Sequence, residues 1–328
     1  MDMIFLQAEQ RHSKLFGVEA LTWAYTLLTS LFIAVLWPRM DTAVQLLQGR
    51  MFVVAGLIGA YLLYIWMPCP ATRFLRKLYP LTLLSYWYPD TYEFCRLFPY
   101  QDHLFAAADL ACFGTQPSLA FSEWLSGKGW SELFHMGYFS YYPMIALTVL
   151  APLFTCRERF DRTAFVVLAA FFLYYLIYLF LPVAGPQYYF CAIGESAARA
   201  GEFTPLGHYF ASHTDMLPSP GPQGFFHDLI ESTQAGGERP TAAFPSSHVG
   251  ISTLLMLLLW QGNRVLVPFV APFYIVLCCS TVYIEAHYLV DVFGGLVSGV
   301  LFYVLCNKAY DRWAMREANH LRPDALGV

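Results

Sequence analysis

Seven stretches of this 328-residue chain are apolar over most of the length a helix needs to cross a lipid bilayer. A hydrocarbon core about 30 Å thick takes roughly 20 helical residues at about 1.5 Å each. Residues 18–37, 51–67, 131–154 and 163–181 approach that length, and 247–260, 265–284 and 288–306 follow in tight succession, the first of these three being short. Soluble chains carry about a quarter charged residues. This one carries 13%, against 57% hydrophobic residues and a mean hydropathy of +0.47, so it lacks the polar surface to cover itself in water. That excludes a soluble globule, a disordered or acidic-tail protein, a basic nucleic-acid binder and a small disulfide-stapled module. Barrel strands would alternate in short segments, whereas these runs are continuous. The fold class expected is therefore an all-α polytopic transmembrane helix bundle.

The chain divides into 1–67 with two spans, 68–130 as an extracytoplasmic or interfacial segment, 131–306 as the transmembrane core and 307–328 as a cytoplasmic basic tail. Its polar start, with no small-residue cleavage site after the first span, argues that this span is retained. Lys and Arg near span ends mark the cytoplasmic side, and Lys308, Arg312, Arg316 and Arg322 place the tail there. Seven spans then put Arg11 and Lys14 on the opposite side, against the rule, which points to a miscounted N-terminal span. Segment 68–130 mixes aromatic and basic residues as interfacial helices do. Segment 182–245 is rich in Gly and Pro and feeds directly into a histidine-bearing helix start, a common place for a site. Of the eight cysteines, Cys69, Cys95, Cys112 and Cys191 are expected on the outer side, without a C-x-x-C.

The chemistry-bearing residues fall at two span starts. Ser246, Ser247 and His248 open one span and His287 opens the last, with Asp291 four residues on. Two crossings separate them, so both histidines belong at one membrane surface. Four residues apart on a helix, His287 and Asp291 share a face, where the carboxylate can fix the imidazole tautomer and leave the other nitrogen as nucleophile or base. The first turn of a helix also offers unpaired N–H groups and a positive dipole end to an anion such as phosphate. A lone histidine or a serine before a span is ordinarily structural, but an Asp inside a membrane helix marks a partner or a pathway. His103, His208, His213 and His227 lack a second ligand at metal spacing and are assigned no role. Glu132 and His135 could line the site, although an interfacial anchor is the simpler reading, and Tyr174, Tyr175 and Tyr178 read as packing and a membrane belt.

The run Ala243 to His248 (Ala-Phe-Pro-Ser-Ser-His), followed by Glu285 to Asp291 (Glu-Ala-His-Tyr-Leu-Val-Asp), resembles the last two signature motifs of the type 2 phosphatidic acid phosphatase superfamily. That superfamily includes lipid phosphate phosphatases, lipid phosphotransferases and soluble vanadium haloperoxidases. Similarity is strongest to the branch with inositol phosphorylceramide synthases and extends to 110–118, with Phe-Gly-Thr-Gln-Pro-Ser, and to 131–142, covering roughly 90–306. The resemblance implies a six-helix core with interfacial helices and no metal or cofactor. It makes His287 the nucleophile that forms a phosphohistidine, Asp291 its orienting partner, and His248 the acid that protonates the leaving oxygen and then activates the acceptor. The chain departs from the widest family pattern: position 281 is Thr instead of Arg, and Arg239-Pro240 has Ser232 where a Lys would stand. The inositolphosphotransferase branch shares these departures. Arg239 is the first candidate to balance phosphate charge and Gln187 the second, with Ser246 and Ser247 as further substrate contacts.

The function expected is an integral membrane enzyme of a bacterial inner membrane, acting on membrane lipids from the extracytoplasmic side and moving a phospho-head group between lipids. The alternative is a lipid phosphate phosphatase hydrolysing a phosphatidic acid, diacylglycerol or polyprenyl pyrophosphate type of substrate. A proton-coupled transporter would place ionisable groups near mid-membrane, whereas His248, His287 and Asp291 cluster at one edge.

Overall fold

The computed structural model describes residues 7–320 apart from 10 and 156; these are largely helical, with no strand among the described residues. Helices α1 (Gly17–Leu36) and α2 (Ala43–Trp66) precede a broken pair, α3 (Pro70–Thr82) and α4 (Leu84–Cys95). Two short helices, α5 (Asp102–Phe113) and α6 (Pro117–Trp124), lead to α7 (Lys128–Phe139) and its continuation α8 (Tyr141–Thr155), then α9 (Arg157–Phe180). The long loop that follows carries α10 (Pro186–Ile193), α11 (Glu195–Ala200) and α12 (Phe225–Gly237). The chain ends in α13 (Ser247–Gly262), α14 (Val267–Tyr283) and α15 (Leu289–His320). The expected all-α bundle is what is observed. Among the described residues, six stretches are long and apolar enough to cross a membrane: Gly17–Arg39, Ala43–Trp66, Lys128–Phe154, Arg159–Phe180, Arg264–Tyr283 and Leu289–Ala318.

The seventh expected span, 247–260, is α13, whose 16 residues rise only about 24 Å. Ile251, Ser252, Leu254 and Leu255 have no exposed surface, so the helix is interior to the bundle. Its tightest neighbour is α15. A Cβ on Gly299 would lie 2.4 Å from the Gly250 carbonyl oxygen, and one on Gly295 would lie 2.6 Å from that of Ser246. The two backbones therefore touch through a small-residue seam, the close approach that bare glycines permit between membrane helices.

The contacts also fix which ends lie together. At the tail end, Gly17 meets Phe165 and Trp313, Arg162 pairs with Asp311, and His12 lies 3.4 Å from Glu317. At the opposite end, Phe32 meets Phe180 edge to face and Thr42 donates to Glu93. Between them α3 and α4 run antiparallel to α2. Arg76 of α3 grips Glu19 at the start of α1 with bonds of 2.7 and 2.6 Å, and Asp90 of α4 grips Arg50 with bonds of 2.9 and 2.5 Å. Residues 70–95, expected at one surface as part of segment 68–130, thus traverse the bundle. Cys69, expected beside the other outer cysteines, begins this traverse at the tail end. With that extra passage the N-terminal segment and the end of α15 share one side, which resolves the parity conflict at Arg11 and Lys14. Of the basic tail, Lys308, Arg312 and Arg316 extend α15, and Arg322 lies outside the described residues.

Candidate active site

The starts of α13 and α15 meet opposite the tail end. Ser246 is the N-cap of α13: its hydroxyl accepts from the Val249 N–H at 3.4 Å, and its own N–H donates to the Asp291 carbonyl at 3.1 Å. Ser247 and His248 occupy the first turn, whose N–H groups have no carbonyl within the helix to bind. His248 is sandwiched between the rings of Tyr138 and Tyr141, at 4.5 and 4.4 Å. Across from it, at a ring separation of 5.8 Å, stands His287.

His287 precedes α15 instead of opening it, so the expected same-helix pairing with Asp291 takes another form. Nδ1 of His287 lies 2.8 Å from the Ala243 carbonyl, which can only accept, so that nitrogen carries the proton and Nε2 keeps its lone pair. Burial lowers the His287 pKa to about 4, favouring the neutral ring. Oδ2 of Asp291 is 3.6 Å from the same Nδ1 and accepts the Tyr288 N–H at 2.9 Å, while Oδ1 is buried without a partner. The carboxylate thus caps the helix start directly beneath the imidazole.

Two acids from α5, which sequence reasoning missed, complete this clamp. Asp109 accepts the Leu289 and Val290 N–H groups at 2.8 and 2.9 Å, so the start of α15 is not open to an anion as expected. Asp102 accepts from Ala184 and Gly185 N–H at 3.0 and 2.8 Å and from the Tyr288 hydroxyl at 3.1 Å. Burial raises both acids to about 6, with these bonds pulling the other way. Gly185, at φ +100°, is also required by crowding: a Cβ there would lie 2.7 Å from the Ala286 carbonyl oxygen. It caps α10, with Pro186 at the first helical position.

A small cleft joins the two histidines. Ser247 and Gln187 are among its lining residues, with Tyr88, Tyr138, Tyr188 and Thr241. Glu238 lines it too, held up to about 7 by burial against hydrogen bonds from the Gln234 and Gln187 amides. No Lys or Arg is among the described lining residues. Arg239 is exposed and outside the lining, so the first candidate for balancing phosphate charge sits one residue away from the group that enters the cleft. Ser246 is spent on its cap. The signal for Glu238 was its place beside Arg239-Pro240; nothing in the local sequence marked the tyrosines, which converge from separate helices.

Other expectations resolve locally. Glu132 caps α12 by accepting the Phe226 and His227 N–H groups, both at 3.1 Å, and does not reach the cleft. Tyr174, Tyr175 and Tyr178 are buried packing residues whose hydroxyls bind Ser298, Leu84 and Pro245, and they form no surface belt. A family model described as PAP2 superfamily matches residues 103–305, which include every residue named above as lining the cleft except Tyr88. No curated protein and no solved structure matches the chain.

Proposed function

The chain belongs to the PAP2 superfamily, and on that premise we propose that it moves a phospho-head group between membrane lipids through a phosphohistidine. Membership supports an enzyme of the lipid phosphatase or phosphotransferase type, and the helices support an integral membrane protein. The observation that carries the finer reading is the His287 tautomer: with Nδ1 held by the Ala243 carbonyl, Nε2 is the atom available to attack phosphorus. His248, across the cleft, gives a proton to the departing oxygen and later removes one from the incoming hydroxyl. Phosphate charge falls to the start of α13, to the cleft hydroxyls and to Glu238, whose carboxyl can donate when it holds its proton.

The site is read as extracytoplasmic because basic residues gather at the tail end. Lys14, Arg73, Arg76, Lys77, Arg159, Arg162 and Lys308 lie there, and few lie at the site end. A hydroxyl-rich cleft facing the headgroup layer favours a lipid alcohol as acceptor. The test supplies purified protein with a head-group-labelled phospholipid plus ceramide or diacylglycerol. A new labelled lipid, absent with His287→Ala, is expected; soluble labelled phosphate alone would make the protein a phosphatase, and turnover by His287→Ala would remove His287 as nucleophile.

A further inference from the structure

At the end of α12 remote from Glu238, a second pair of histidines meets two carboxylates. His227, Asp228 and Glu231 each present a donor atom, all within 4.8 Å of one another. His227 is 3% exposed, and both of its ring nitrogens face acceptors. Nε2 lies 3.3 Å from the Ser219 carbonyl and Nδ1 lies 3.1 Å from Oδ1 of Asp228. A neutral imidazole has one N–H to give. Whichever nitrogen holds the proton, the other turns its lone pair toward an oxygen, a repulsion that a positive charge between them would relieve.

His135 of α7 supplies an independent observation. It has no exposed surface, and its ring lies 4.8 Å from that of His227. Its Nδ1 donates to the Ser131 carbonyl at 2.7 Å, which leaves Nε2 as an acceptor lone pair. That Nε2 is buried with no partner. An orphaned buried nitrogen carries a desolvation cost that a ligand would remove. Each histidine thus has one nitrogen on a backbone carbonyl and the other turned away from it. This is how metal-ligating histidines are oriented.

We propose that His227 Nδ1, Asp228 and Glu231 bind one divalent cation of the zinc class, with a water in the fourth position as the donor that Nε2 of His135 lacks. One imidazole and two carboxylates beside a water suit zinc, with bonds of about 2.0–2.2 Å. Magnesium prefers oxygen and retained water. The ion clips α12 to α7 outside the histidine cleft. It orders the element whose other end carries Gln234 and leads to Glu238, and it takes no part in phosphoryl transfer.

The test uses the full chain in detergent, stripped with a chelator and titrated with zinc against a chromophoric competitor, with thermal unfolding as a second readout. Wild type is expected to take one equivalent and unfold at a higher temperature when loaded. Asp228→Asn with Glu231→Gln, at exposed and half-exposed positions that leave the packing intact, is expected to bind at least tenfold more weakly and to lose the thermal response. Absence of a stoichiometric site in wild type, or equal affinity in the double variant, overturns the proposal. Neither readout depends on turnover, so failure here is separate from failure of the phosphotransferase reading.

Discussion

Adding one methyl group at Gly299 tests whether the glycine seam between α13 and α15 sets the distance between the two cleft histidines. In Gly299→Ala the new Cβ would lie 2.4 Å from the Gly250 carbonyl oxygen and 3.0 Å from both the Gly250 Cα and the Thr253 Cβ, where ordinary contacts begin at 3.4 Å. Backbone cannot rotate out of the way, so the helices must part by about 1 Å, a strain of about 1–3 kcal/mol for overpacked interiors. The N–H of Ser246 bonds to the Asp291 carbonyl above this contact, so parting the helices also shifts His248 against His287. A misplacement on the order of 1 Å costs about 10²-fold in rate. The assay pairs thermal unfolding in detergent with formation of the labelled lipid product. Gly59→Ala serves as the control, since nothing lies within 4 Å of a Cβ there. Gly299→Ala with the turnover and unfolding temperature of wild type would refute the claim that backbone contact fixes the site.

Glu238 makes stability depend on pH. Its carboxyl is raised from 4.5 to about 7, so the native state keeps a proton that the unfolded chain releases over that interval. Native stability therefore falls as pH rises from about 4.5 to about 7 and levels off above, and Glu238→Gln is expected to flatten that slope; superimposable unfolding profiles would contradict it. Asp109→Asn keeps the shape but replaces one carboxylate oxygen with a donor facing another donor. Losing one charge-assisted bond to the start of α15 should cost about 1.5–3 kcal/mol, read from chemical denaturation, and an unchanged midpoint would remove Asp109 from the clamp. A single Cys at exposed Gln223, in a background without the other accessible cysteines, should react with an impermeant thiol reagent in intact cells. Reaction only after lysis would invert the topology.

The histidines were legible because so little else in the apolar chain is ionisable, and the Pro-Ser-Ser-His and His-x-x-x-Asp spacings pointed to the superfamily whose family model matches the chain. The α3–α4 passage was not legible, for a physical reason. Hydropathy weighs Arg76, Lys77 and Asp90 one by one, whereas the fold pairs them with Glu19, Asp161 and Arg50. A paired charge can enter a bundle that an unpaired one cannot. Asp102 and Asp109 escaped notice similarly, since their partners are backbone N–H groups some 80 and 180 residues away and no local spacing records them. The same holds for the metal-type cluster: His135 and His227 are far apart in sequence, and only the packing of α12 on α7 brings their rings together.

The carboxylate clamp on α15 makes the cleft mechanically lopsided. The jaw bearing His287 is held by Asp109 and Asp291 on the backbone that starts α15 and, through the Tyr288 hydroxyl on Asp102, to the backbone at 184–185, and it has little freedom to yield to a guest. The facing wall, from α12 through Glu238 and Thr241, is held instead by side chains of other helices, Glu132 on the first N–H groups of α12 and Tyr100 on the Pro240 carbonyl. That wall brings Glu238 and Thr241 into the cleft by side chains alone, so discrimination among acceptors is assigned to it. Exchanging residues 225–241 between related enzymes should transplant substrate preference while leaving the His287 ring where it stands.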